Sequence, residues 1–225
     1  MRVLAPVIQP LSLEIKEQRA VYGAQLGVLA DIYQEETNIT IWQRELSEEV
    51  SNAAGLILDA KPSLRLSVSV CPDNAYELLN RALGIEKQFA PLAADITKLV
   101  DMFCYLFDLD SVGLRLTSLK HAMCPRFHVD NVPCRLVSTY HGDATEWLPH
   151  DRVDRSKLGP GNKGIPDDQS GLFSKASDIQ LLRRGEIALL KGEGWLGNEG
   201  AGLVHRSPQL KNDTRRLLLT LDFMS

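Results

Sequence analysis

Phe127-His128-Val129-Asp130-Asn131-Val132-Pro133-Cys134-Arg135-Leu136-Val137-Ser138-Thr139-Tyr140 is the stretch on which the reading of this 225-residue chain turns. Residues 132–140 are rich in β-formers and read as a strand. His128 and Asp130 flank a single residue, so in an extended segment both side chains point to the same face. A second fragment lies far downstream. His205-Arg206-Ser207-Pro208 closes a short apolar run, and Arg215-Arg216 heads the run Leu217-Leu218-Leu219.

Working outward, short strands dominate the chain after residue 110. Residues 111–119 alternate Val112, Leu114 and Leu116 with smaller or charged residues, the period of a half-buried strand. Residues 146–148, 179–182, 187–190, 203–205 and 217–223 read as further strands, with turns at Arg184-Gly185 and Gly192-Glu193-Gly194. Before residue 110 the pattern is mostly helical. Residues 12–34 place Leu13, Val21, Leu26, Leu29 and Ile32 at helix-like spacing. A helix starts at Ser47 and reaches about Leu58, a second is capped by Asp73 and stopped by Gly84, and a third spans 91–107. Asn38–Trp42 and 64–70 are strand candidates in that half.

Helices followed by a run of strands give an α+β class. Seven or eight short strands around a metal-ligand pattern specify a double-stranded β-helix, or jelly-roll, over 111–225. A mainly helical N-terminal part, 1–110, would pack on it and lend one or two strands to its sheet. No linker-like composition separates the two parts, so they are expected to form one structural unit.

The composition is that of an ordinary globular chain, with 44% hydrophobic and 24% charged residues. A net charge of −4 offers no general attraction to nucleic acid or anionic lipid. No segment reaches the roughly 20 apolar residues of a membrane span. The proline-broken start, Met1-Arg2-Val3-Leu4-Ala5-Pro6, does not read as a secretory signal. A cytoplasmic protein with no nucleic-acid or membrane partner is expected. Residues 149–177, rich in Pro, Gly, Asp and Lys, form a long loop, either a lid that closes over a site or a plain flexible connection. Its Gly159-Pro160-Gly161-Asn162-Lys163-Gly164 lacks the spacing of a phosphate loop.

Two imidazoles and one carboxylate on neighbouring strands can occupy one face of an iron ion and leave positions open for a cosubstrate and oxygen. An arginine after the second histidine can grip the far carboxylate of 2-oxoglutarate through its planar fork. Arg216 and Arg215 are both candidates, because adjacent strand residues face opposite ways and the register is open. The order Cys124-x3-His128-x-Asp130-x3-Cys134 also permits a tetrahedral zinc site, in which Cys124 or Cys134 would join as ligand.

The segments 127–130, 135–140, 184–192, 205–208 and 215–219 resemble successive core strands of the Fe(II)/2-oxoglutarate-dependent dioxygenase superfamily. The likeness covers about 111–223. The whole chain, and Met123-Cys124-Pro125-Arg126-Phe127-His128-Val129-Asp130 in particular, also resembles an uncharacterised bacterial family associated with zinc-responsive genes. The first resemblance implies iron held by His128, Asp130 and His205 and 2-oxoglutarate anchored by Arg216 or Arg215. Tyr140 or Arg115 would add a hydrogen bond to the cosubstrate. One departure stands out: the superfamily often has Ser or Thr two residues after its arginine, where this chain has Leu217 or Leu218. The function so implied is a non-haem oxygenase or hydroxylase acting on a small molecule or peptide. The second resemblance favours a zinc-binding accessory protein that uses the same pocket without turnover.

Overall fold

The structure, a computed structural model, describes residues 17–210 and 214–224. Its strands are β1 (Arg19–Gly23), β2 (Thr37–Trp42), β3 (Arg65–Val70), β4 (Val112–Leu119), β5 (Cys134–His141), β6 (Glu146–Leu148), β7 (Gln180–Leu181), β8 (Ile187–Lys191), β9 (Val204–Arg206) and β10 (Arg216–Phe223). The helices are α1 (Glu48–Ala60), α2 (Pro72–Leu83) and α3 (Ala90–Phe107).

Local chemistry explains the helix ends. The Ser47 hydroxyl accepts the Val50 N–H, and Glu48 and Glu49 sit in the first turn, where the helix dipole favours anions. The second helix begins earlier than Asp73. Pro72 occupies its first position and the Asn74 side chain accepts the Cys71 N–H at 3.0 Å. Gly84 ends it at φ 114°.

The one or two amphipathic helices expected over 12–34 form only in part among the described residues. Residues 19–23 are strand β1, and 26–33 are a 3-10 helix that buries Leu29 and Ile32. Leu13 lies outside the described residues. Val21 and Tyr22 suit a strand, and pairing with β2 outweighs a weak helical period.

Seven strands form one sheet in the order β1-β2-β8-β5-β10-β4-β3, and three form a second in the order β7-β6-β9. The β1–β2 pair is parallel and the other pairs are antiparallel. The N-terminal part therefore supplies three strands, which flank the large sheet at both edges.

The large sheet has two buried faces. Leu136, Leu189, Leu217, Leu219 and Leu221 pack against Ile57, Leu79, Ile96, Val100 and Phe103 of the helices. Val137, Ala188, Leu190 and Leu218 face Trp147 and Leu203, toward the small sheet. This double burial explains the unbroken apolar run in β10, since a strand covered on both faces has no polar side to alternate with. The result is a mixed α and β fold with three layers, and the space between the two sheets holds the candidate site. The long loop lies against the same body: Leu158, Leu172 and Phe173 join Phe127, Leu148 and Val204 in a third apolar cluster. Among the described residues no helix is long and apolar enough to cross a membrane.

Candidate metal centre

His128 precedes β5, and His205 is the middle residue of β9. Their backbones exchange both hydrogen bonds, His128 N–H to His205 O and His205 N–H to His128 O, each at 3.0 Å. This is the directly opposed, hydrogen-bonded antiparallel pair, which places two side chains on one face. Asp130, two residues on from His128, joins them. His128 Nε2 lies 3.8 Å from Asp130 Oδ1, and His205 Nε2 lies 3.4 Å from Asp130 Oδ2. The three donor atoms fall within 4.8 Å of one another.

The imidazoles are oriented by the same device. His128 Nδ1 is 2.9 Å from the carbonyl of Arg126, and His205 Nδ1 is 3.2 Å from the carbonyl of Leu203, each two residues back. A carbonyl only accepts, so Nδ1 carries the proton in both rings and Nε2 presents its lone pair to the common centre. Burial lowers the His205 pKa to about 4, opposed by the Asp130 charge and reinforced by His128. His205 is thus neutral at neutral pH, the form that ligates metal. Two imidazoles and one carboxylate on one side, with no fourth protein ligand among the described residues, fit a facial triad.

Asp130 is itself held. Arg135 donates from Nη1 to Asp130 Oδ2 at 2.7 Å and grips Asp222 with Nε at 2.6 Å and Nη2 at 3.2 Å. Arg115 reaches the same Asp222 at 3.0 Å. Behind Asp130 the chain turns tightly: a Cβ on Gly192 would lie 2.7 Å from the Asp130 carbonyl oxygen and 2.1 Å from that of Val132.

The cavity beside the triad is lined by Arg115, His128, Arg135, Thr145, His205, Arg216 and Leu218, among others. Arg216 is 1% exposed. Its Nη2 donates to Thr139 Oγ1 at 3.0 Å and Thr145 Oγ1 at 2.8 Å, while its Nε is buried with no hydrogen-bond partner. No ion pair to it forms among the described residues. Burial lowers its pKa to about 10, partly offset by Asp143, so the group is cationic at neutral pH. A buried, charged guanidinium with an unused donor is costly unless an anion completes it.

Arg215 faces the other way, donating to the Leu58 carbonyl at 2.6 Å and pairing with Asp59 at 2.5 Å. Gly142, at φ 81°, allows the turn after β5 to press against this point, where a Cβ would lie 2.3 Å from the Arg215 carbonyl oxygen. Tyr140 also lies away from the cavity: its hydroxyl donates to Asp95 at 2.5 Å on the helix side, where Arg44 grips the same carboxylate. Tyr140 follows Thr139 in an alternating strand, so when Thr139 meets Arg216 its neighbour must face the helices. Cys124 is exposed at the cavity wall with its sulfur outside the ligand group, and Cys134 is buried in the helix-side core, where burial pushes its thiol pKa far up. The structure thus brings His128, Asp130, His205, Arg216 and Arg115 to one space and leaves Arg215, Tyr140 and Cys134 outside it. Arg135, Asp222, Thr139 and Thr145 carry no motif in the sequence; the antiparallel pairing of Arg135 with Asp222 across β5 and β10 is what joins the first two.

A family model described as protein of unknown function, DUF1826, matches residues 23–222. The chain belongs to this family. No curated protein matches the DUF1826 chain by sequence. Solved structures share its fold at low identity. One is a dioxygenase for auxin oxidation from rice, 10% identical with a TM-score of 0.51, covering 93% of this chain and 83% of the other. Another is a full-length Neurospora crassa protein in complex with alpha-KG, 10% identical with a TM-score of 0.52, covering 93% and 85%.

Proposed function

We propose that this DUF1826 protein is a non-haem Fe(II)- and 2-oxoglutarate-dependent oxygenase built on a double-stranded β-helix. The observation that carries the reading is the pairing of two unlike features in one cavity. One is a triad of two imidazoles and a carboxylate; the other is a buried, anion-seeking Arg216. Either alone has many uses, but a metal plus an acidic chelator needs both. The likeness to a dioxygenase, and to a Neurospora crassa protein crystallised with alpha-KG, supports the same reading at the level of the fold.

In this reading His128, Asp130 and His205 hold iron, and the bound metal with its oxo-acid cosubstrate supplies oxidative chemistry that the protein side chains lack. The protein's own part is orientation. The Arg126 and Leu203 carbonyls fix the imidazole tautomers, Arg135 holds the Asp130 carboxylate in place, and Arg216 with Thr139 and Thr145 takes the distal carboxylate of 2-oxoglutarate. Leu218 and Val137 wall the space between with carbon and keep water from it. Arg115, at the exposed side and paired with Asp222, stands where it meets the substrate or the near carboxylate.

Anaerobic addition of Fe(II) and then 2-oxoglutarate to metal-free protein tests this directly. A weak visible absorption band that appears only with both present is expected. Stoichiometric iron uptake with no such band would remove the cosubstrate from the reading. Full iron content in His128→Ala would remove that ligand.

A further inference from the structure

The long loop bears a buried carboxylate at the point where it crosses the two ligand strands. Asp167 is 5% exposed. Its Oδ2 accepts the Phe127 N–H at 2.8 Å, one residue before His128. Its Oδ1 lies 2.9 Å from Arg126 Nε, a contact of charge whose N–H direction misses the oxygen. Arg206, the residue after His205, approaches Oδ2 with Nη1 at 3.6 Å. That guanidinium also lies 4.2 Å over the Phe127 ring and donates to Glu146 at 2.5 Å.

These contacts converge on residues adjacent to the candidate ligands. Arg126, whose side chain Asp167 attracts, also supplies the carbonyl that orients the His128 imidazole. Phe127 and Arg206 flank the backbone bridge between His128 and His205. Apolar contact reinforces the seating, since Phe127 meets Phe173 of the same loop edge-on at 5.8 Å. A carboxylate buried for packing alone gains little over an apolar residue of similar size, because desolvation offsets its ion pairs. What a charge adds here is direction: one group fixes two strands at once.

We propose that Asp167 is a positioning residue for the metal centre, so that the 149–177 loop is a buttress of the triad and not a lid over it. The proposal rests on the metal reading above. An oriented ligand shell typically accounts for roughly 10- to 100-fold in metal affinity. The test uses the full chain as Asp167→Ala and Asp167→Asn, with Fe(II) titrated anaerobically as the probe and amide hydrogen exchange followed in the metal-free protein. Asp167→Ala is expected to weaken Fe(II) binding about 10- to 100-fold. Asp167→Asn keeps a carbonyl for the Phe127 N–H and should fall between Ala and wild type. In the metal-free Ala variant the His128 and His205 amides should lose protection while those of Val100 and Leu219 keep theirs, a split that general destabilisation does not give. Should Asp167→Ala fail to fold, Asp167→Asn and Arg126→Met carry the same expectation at smaller size. Wild-type affinity and unchanged protection at both histidines would overturn the proposal. Absence of iron uptake by the wild type would sink the metal reading instead, and the exchange measurement would still decide the role of Asp167.

Discussion

Each of the two histidines offers Nε2 because a carbonyl two residues back claims Nδ1, and the burial of His205 has a pH consequence. Folded His205 takes up a proton only near pH 4, against an ordinary value of 6.5. Between those values the unfolded chain binds more protons, so stability is intact above pH 6.5 and is lost as pH falls toward 4. Urea unfolding of metal-free protein is expected to show a loss on the order of 3 kcal/mol across that window, and a flat profile would contradict the buried placement. Arg216 poses the complementary case. As a buried cation only partly offset by Asp143 it costs stability when no anion is bound, so Arg216→Met should leave the ligand-free chain unchanged or about 1 kcal/mol more stable. The same change should weaken 2-oxoglutarate binding to the iron-loaded protein roughly 100-fold or more, read by titration of the visible band. His128 and Asp130 were legible in the sequence as a pair because spacing and strand period put them on one face, whereas His205 joins them only through the long-range bridge to His128. The choice between Arg215 and Arg216 was not, because it depends on which face of β10 meets the small sheet.

Elements explain why Tyr140 reads as a site residue in the sequence and is not one in the fold. Strand β5 is buried on both sides: Arg135, Val137 and Thr139 face the cavity, while Leu136 and Tyr140 face the helices. Tyr140 there closes a cluster with Asp95 of α3 and Arg44, which also donates to the Gly185 carbonyl at 2.9 Å. Asp95 keeps both Arg44 hydrogen bonds without the phenol. Tyr140→Phe is therefore expected to cost about 1–2 kcal/mol in chemical denaturation and to leave iron and 2-oxoglutarate affinities untouched. A tenfold loss of either affinity would place Tyr140 back at the site. At this scale the sequence located most strands within a residue or two, and it missed β1. That strand is parallel to β2 and gains its stability from a partner and not from its own period.

At the scale of the molecule, the site lies where the two sheets face each other, so ligands that bind there hold together parts far apart in sequence. Iron with 2-oxoglutarate at about 100 times its dissociation constant should add about 2.7 kcal/mol. For a chain of this size that corresponds to roughly 5–10 °C in Tm, and 2-oxoglutarate added to Arg216→Met should give almost none of the cosubstrate's share. The sequence by itself determined the local facts: alternation marked the strands, capping residues marked the helices, and His128-Val129-Asp130 set two ligands on one side. Tertiary structure decided the rest. It opposed His128 to His205 across the long stretch of chain between them, joined Arg135 to both Asp130 and Asp222, and turned Arg216 inward while Arg215 met Asp59. The physical reason is that a side chain's face follows from local backbone period, whereas what that face meets follows from strand pairing and layer packing, which no short window of sequence contains.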